Sequence, residues 1–163
     1  MKVYDNVNKQ YMFTQAIIKY IEESVLCWLG TSDKDNFPNV SPKEMFTHFE
    51  DNKILIANIA SPNSVANILE NANVCVSFVD VFVQKGFKIK GQAKIIYRED
   101  ADFEVKVKPL IALYSDKFYI STVIEITVQK MALIQAPSYF LYPEITEEAQ
   151  IMSAMNTYKV FKK

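Results

Sequence analysis

Two short segments carry the residues best suited to holding an anion. The first is Ser61-Pro62-Asn63-Ser64. Ser followed by Pro reads as a helix N-cap with proline at the first helical position. A helix N-terminus leaves unpaired N–H groups and a partial positive charge, which suits a phosphate. Ser61 and Ser64 add hydroxyl donors, and Asn63 and Asn67 add amides. The second is Lys43, within the strand-like VSPKEMF (40–46). A lysine beside a helix N-terminus supplies the point charge that a phosphate needs. Each feature has a plainer reading: Ser61 merely capping its own helix, and Lys43 as a solvated surface lysine.

Other chemistries are excluded by what the chain lacks. It has 163 residues and only three glycines, Gly30, Gly86 and Gly91, so neither a dinucleotide fingerprint nor a P-loop can be built. One histidine, His48, and two cysteines, Cys27 and Cys75, do not make a zinc cluster, and no metal site is expected. His48 has no Ser or Cys motif for nucleophilic catalysis beside it and reads as structural or exposed. Lys85, Lys88, Lys90 and Lys94 lie on or beside one strand around Phe87, a stripe that nucleic acid could use. The formal net charge of −1 argues against that, leaving a solvated face whose lysines discourage edge pairing. No apolar run approaches a membrane span, and the first ten residues have no signal-peptide core. Two apolar-flanked cysteines without an export signal read as reduced, buried thiols in the cytoplasm.

Half the residues are hydrophobic, enough for a sizeable core, and no linker or repeat interrupts the chain, so 1–163 reads as one domain. Residues 9–23 have the helical period. Strands are expected over 25–32, 39–49, 53–59, 73–82, 86–96 and 122–136, with the run 73–82 covered on both faces. The alternation of 122–136 slips at Gln129-Lys130, which predicts a β-bulge. Helices are expected after Ser61, over 100–118 (with Pro109 a potential break) and over 144–158. Gly86 and Gly91 flank a barrel strand, where the missing side chain permits a bend or a close approach of the backbone, and Gly30 is expected to serve the first strand in the same way. APSYFLY (136–142) reads as extended and rigid, able to cover a planar ligand or to pack on the barrel or a partner chain. Six mainly antiparallel strands with inserted helices favour a small closed barrel, which removes exposed edges, with an open sheet as the alternative that the pattern alone leaves standing.

FPNVSPKEMF (37–46), ILIANIASPNSVANILENANVCVSF (54–78) and GFKIKGQAKI (86–95), in that order, resemble the pyridoxamine 5′-phosphate oxidase-like FMN-binding split-barrel family. The segment 136–150 is similar to a subgroup of small members. The resemblance implies a mainly β fold, a six-stranded antiparallel split β-barrel, and a homodimer with two FMN sites at the subunit interface. It implies that the FMN phosphate is held by Lys43, Ser61, Ser64 and Asn67. The ring would lie against the strand of Val40, Ser41 and Pro42. Gln84, Lys85 and Tyr139 would approach from the second subunit. The implied activity is FMN-dependent oxidoreductase chemistry on a small-molecule substrate, with no catalytic residue assigned. Asn63 and Ala66 stand where the authentic oxidases often carry basic residues, which implies a less charged phosphate site. The basic C-terminal substrate motif of the vitamin B6 oxidases is absent, which points away from pyridoxamine phosphate. Two alternatives use the same barrel: a non-catalytic flavin or haem carrier or sensor, and a nucleic-acid binder using the Lys88 face.

Overall fold

Short runs of β-branched and aromatic residues, punctuated by Asx turns, form one antiparallel sheet in a computed structural model of the chain, which describes residues 12–114 and 117–161. In chain order the elements are α1 (Gln15–Glu23), β1 (Cys27–Ser32), β2 (Pro38–Lys43), β3 (Phe46–Phe49), β4 (Lys53–Asn58), α2 (Pro62–Glu70), β5 (Asn73–Asp80), β6 (Lys85–Tyr97), α3 (Phe103–Leu113), β7 (Thr122–Gln135), α4 (Ser138–Leu141) and α5 (Glu147–Tyr158). The sheet order is β2-β1-β5-β6-β7-β4-β3.

The sheet has seven strands rather than six because the expected strand 39–49 is broken at Glu44-Met45. The two halves become opposite edges of the sheet. Only two residues join them, so the Cα atoms of Lys43 and Phe46 lie within about 11 Å of each other. The sheet must therefore roll until its edges meet. The seam is covalent, with no ladder between β2 and β3, so the barrel is split rather than closed.

The rolled sheet encloses a core of Cys27, Leu29, Val76, Phe78, Ile89, Ile54, Ile56, Ile124 and Ile126, joined by Ile17, Tyr20 and Ile21 of α1 and Ile68 of α2. A second cluster lies on the outside, where α3 packs Phe103, Val107 and Leu110 against Leu55, Ala57, Ile96 and Val123. As a result β4 is buried on both faces. The expectation of two covered faces for 73–82 is corrected: in β5 Val74, Val76 and Phe78 are buried, whereas Cys75, Ser77 and Val79 on the other face are only half-buried.

Other details obey local chemistry. Residue Gln129 is the extra one in β7: Lys90 faces Lys130 while Gly91 faces Val128, so the predicted bulge is present. Pro109 lies inside α3 and does not end it. The segment after Pro137 turns into the single helical turn of α4 rather than an extended strand, since Pro137 sits at a helix N-cap with φ −55°. Thr146 caps α5 as its sequence suggests, accepting from Ala149 N–H at 3.2 Å. The helix expected from residue 9 starts at Gln15, and residues 9–11 and 115–116 lie outside the described residues. Lys88, Lys90 and Lys94 are exposed, but β6 is an interior strand, so they guard no edge. No helix among the described residues is long and apolar enough to cross a membrane.

Two glycines are required by backbone contact. A Cβ at Gly86 would lie 2.0 Å from the Phe78 carbonyl oxygen, and one at Gly91 would lie 2.2 Å from that of Thr127, opposite the bulge. At Gly30 the nearest atom is 3.4 Å away, an ordinary contact, so the close approach expected there is absent. Gly86→Ala and Gly91→Ala are therefore expected to destabilise the fold by about 1–3 kcal/mol, a fall in Tm of roughly 2–4 °C per kcal/mol. Gly30→Ala should leave Tm nearly unchanged. Equal effects of the three substitutions in thermal melts would contradict the register at β5–β6–β7.

Candidate functional site

The side chains of β2 alternate, as those of any strand must. Asn39, Ser41 and Lys43 share the face of Thr31, Leu29 and Cys27 on β1, while Pro38, Val40 and Pro42 take the other. Prolines at 38 and 42 have no N–H to give a ladder, which places the even positions on the unpaired edge. The Val40 N–H and C=O are thus open to a ligand at that edge.

The β4–α2 turn brings Ser61 to this strand. Asn58, buried at the end of β4, donates to Ser121 Oγ (3.2 Å) and Thr122 Oγ1 (3.1 Å), and its Oδ1 accepts from Ser61 N–H at 3.1 Å. The carboxamide thereby ties the turn to the start of β7. Pro62 opens α2, and the Ser61 hydroxyl makes no capping bond. It is held by the Lys43 ammonium instead. Lys43 Nζ also donates to Ser41 Oγ at 2.8 Å, and the Ser41 and Ser61 hydroxyls lie 3.4 Å apart. Ser61 is therefore not a simple cap, and Lys43, 6 % exposed, is not a surface lysine.

Lys43 has no carboxylate partner among the described residues; its hydrogen bonds go to two neutral hydroxyls. The contrast is Lys106, the other buried lysine among the described residues, which lies 2.6 Å from Asp102 and 2.7 Å from Glu125. Burial lowers the pKa of Lys43, and the neighbouring Cys27 opposes this only in part. Burial also pushes the Cys27 thiol up to about 12, so it stays neutral and supplies no countercharge. A buried cation lacking a counterion is costly unless an anion joins it. The N–H groups of Asn63 and Ser64, in the first turn of α2, are further donors without an intrahelical partner.

Of the remaining sequence candidates, Ser64 is almost fully buried and accepts from Asn39 Nδ2 at 3.4 Å. Asn67 donates to Thr31 Oγ1 at 3.0 Å, which also receives Asn39 at 3.3 Å. Asn39, Ser41, Ser61, Asn63 and Ser64, with Val40 and Pro42, line a groove of about 220 Å³ between the β2 edge and α2. Thr31, Asn39 and Asn58 were not legible as site residues: their partners lie up to 64 residues away and obey no local motif.

Gln84, Lys85 and Tyr139 form a separate cluster. The ammonium of Lys85 lies 4.2 Å from the centre of the Tyr139 ring and 2.7 Å from Glu147. Burial, then the Glu147 carboxylate, raises the Tyr139 pKa, so the phenol stays protonated and donates to the Val83 carbonyl at 2.7 Å. Gln84, at φ 56° in the β5–β6 turn, accepts from Ala136 N–H at 3.0 Å. The cluster lies on β6, three strands from β2. No hydrogen bond or ion pair among the described residues joins this cluster to Lys43.

The pyridoxamine 5′-phosphate oxidase family model matches residues 13–135, more than two thirds of the chain. No curated protein matches. Among solved structures the chain is similar to HupZ of Group A Streptococcus (24 % identity, TM-score 0.66, covering 77 % of this chain and 96 % of that one). It is also similar to an FMN-binding protein of Syntrophomonas wolfei (13 %, TM-score 0.62, covering 75 % and 88 %) and to HutZ, the haem storage protein of Vibrio cholerae (14 %, TM-score 0.61, covering 74 % and 92 %). At these identities the structures establish the fold. The chain belongs to the pyridoxamine 5′-phosphate oxidase family.

The isolated charge has a measurable signature. The folded-state pKa of Lys43 is depressed, so the unfolded chain binds more protons and stability rises with pH across the window from the lowered value to about 10.4. Lys43→Met removes the buried charge. It is expected to be more stable than the parent at neutral pH, with the difference shrinking as pH climbs through that window. Denaturant titrations of both proteins from pH 7 to 10 check this, and a pH-independent difference would show that Lys43 is solvated.

Proposed function

We propose that this protein is an FMN-binding flavoprotein, an oxidoreductase acting on a small molecule, with the flavin phosphate at Lys43. The observation that carries this reading is the buried ammonium of Lys43, held only by hydroxyls, beside the first turn of α2 in a chain of this family. The donor set fits a phosphate dianion: one cation, the Ser41 and Ser61 hydroxyls, and the N–H groups of Asn63 and Ser64. Asn39 and Asn67, both tied to Thr31, brace the groove wall.

When bound, FMN supplies the hydride and electron chemistry itself. The work of the chain is to hold the phosphate, orient the ring and shield it. The open Val40 N–H and C=O on the β2 edge offer the ring a donor and an acceptor. The groove of about 220 Å³ is smaller than the roughly 300–1,000 Å³ of sites that enclose a whole ligand. It accommodates the phosphate end, and the ring needs further walls. A second subunit supplies them in this reading, through its own Gln84, Lys85 and Tyr139. Exposed Trp28, Phe37 and Val40, on and beside the outer face of β1 and β2, favour such a partner.

A carrier of haem is the second reading, because the HutZ structure shares the fold. The sole histidine, His48, lies half-buried on β3 with Nε2 3.7 Å from Glu22, and it is not among the residues that line the groove between β2 and α2.

Freshly purified protein is expected to be yellow, or to take up FMN with one site per chain. Lys43→Ala and Ser61→Ala should each weaken FMN by about 1–3 kcal/mol in fluorescence titrations. Normal affinity in both would place the phosphate elsewhere, and haem uptake without FMN uptake would favour the carrier. Steady NAD(P)H-dependent turnover with an electron acceptor separates an oxidoreductase from a passive flavin carrier.

A further inference from the structure

The break between β2 and β3 opens a second cleft beside Lys43, distinct from the α2 groove. It has a volume of about 290 Å³. Its walls are apolar: Leu26, Met45, Ala57, Ile59 and Phe118, with Pro42 and Ala60. The polar side chains on it are Lys43, Ser61 and Glu44. Lys43 is buried, whereas Glu44 is exposed. The hydrophobic slot thus meets the buried Lys43, which has no carboxylate partner among the described residues, and exposed Glu44 adds a negative charge to its lining.

We propose that this cleft binds a small apolar monocarboxylate, with the carboxylate on Lys43 Nζ and Ser61 Oγ and the hydrocarbon against Met45, Ile59 and Phe118. An apolar wall excludes a strongly hydrated ligand, and the lone cation demands an anion, so the ligand is amphiphilic. Glu44 disfavours a dianion and leaves a single charge compensated. At roughly 30 Å³ per water-sized group the space holds about eight to ten non-hydrogen atoms. The proposal stands apart from the flavin reading and meets it at one point: both ligands claim the charge of Lys43, so the acid competes with a phosphate in the α2 groove. The acid then acts as a brake on cofactor loading.

The test uses hexanoate and its neutral isostere hexanamide, titrated into flavin-free protein and tracked by the methyl NMR signals of Met45 and Ile59. Hexanoate is expected to shift both signals saturably and to bind at least tenfold more tightly than hexanamide. Lys43→Met should erase the preference for the acid. The exposed Phe118→Ala, outside the phosphate groove, should weaken both ligands alike. Added FMN should displace hexanoate. Absence of saturable shifts, or equal binding of acid and amide, overturns the proposal. Hexanoate binding that FMN does not displace upholds the cleft and counts instead against placing the flavin phosphate on Lys43.

Discussion

The two edges of the sheet are consecutive strands, and much of the site depends on that constraint. β2 and β3 are separated by only Glu44 and Met45, yet five strands lie between them in the sheet. The roll this imposes buries Cys27, Leu29, Phe78 and their neighbours inside one layer. It also prevents β2 from completing a ladder on its outer side, which leaves the Val40 backbone open. The same seam puts Lys43 at the end of an edge strand, on the wall of the apolar cleft, and its partner Ser61 lines both that cleft and the polar groove. A fully closed barrel would cover that edge.

Burying an ammonium costs several kcal/mol, even after the protein relaxes around it. At Lys106 two carboxylates offset this cost. At Lys43 two hydroxyls satisfy hydrogen-bonding needs but leave the charge uncompensated. Nothing in the packing requires a lysine there, since the opposing inward residue on β1 is the apolar, neutral Cys27. An apolar side chain of similar length would cost less. The arrangement makes physical sense as a site that is incomplete alone and completed by an anion, whose binding energy includes the relief of the buried charge.

Local chemistry made part of this legible in the sequence. The Ser61-Pro62 helix start, the exposed Lys88, Lys90 and Lys94, the bulge at Gln129 and the close approaches at Gly86 and Gly91 depend on neighbours or on period, and the structure contains them. The break at Glu44-Met45 was not legible, because no Gly or Asx turn marks it; it arises from closing the sheet. The two-sided burial of β4 was missed because it depends on where α3 docks. The burial of Lys43 was likewise hidden. A lysine in a Pro-flanked strand looks solvated until α2 covers it, and the contact between Lys43 and Ser61 spans 18 residues.

The family match ends at residue 135, and the C-terminal segment beyond it is joined to the barrel around one turn. Gln84 at φ 56° turns the chain so that the Val83 and Gln84 carbonyls accept from Tyr139 and Ala136, while Lys85 takes both the Tyr139 ring and the Glu147 carboxylate. Phe82 adds an edge-on contact with Tyr158 at the far end of α5. Lys85 is therefore a pivot: its charge is neutralised by the appendage, whereas that of Lys43 is not. In the proposed dimer this difference assigns the roles. Lys43 would meet the dianionic end of the proposed cofactor, where a cation without a carboxylate partner among the described residues gains most. The compensated Lys85, with the Tyr139 ring beneath it, presents a planar and nearly neutral surface suited to the uncharged ring.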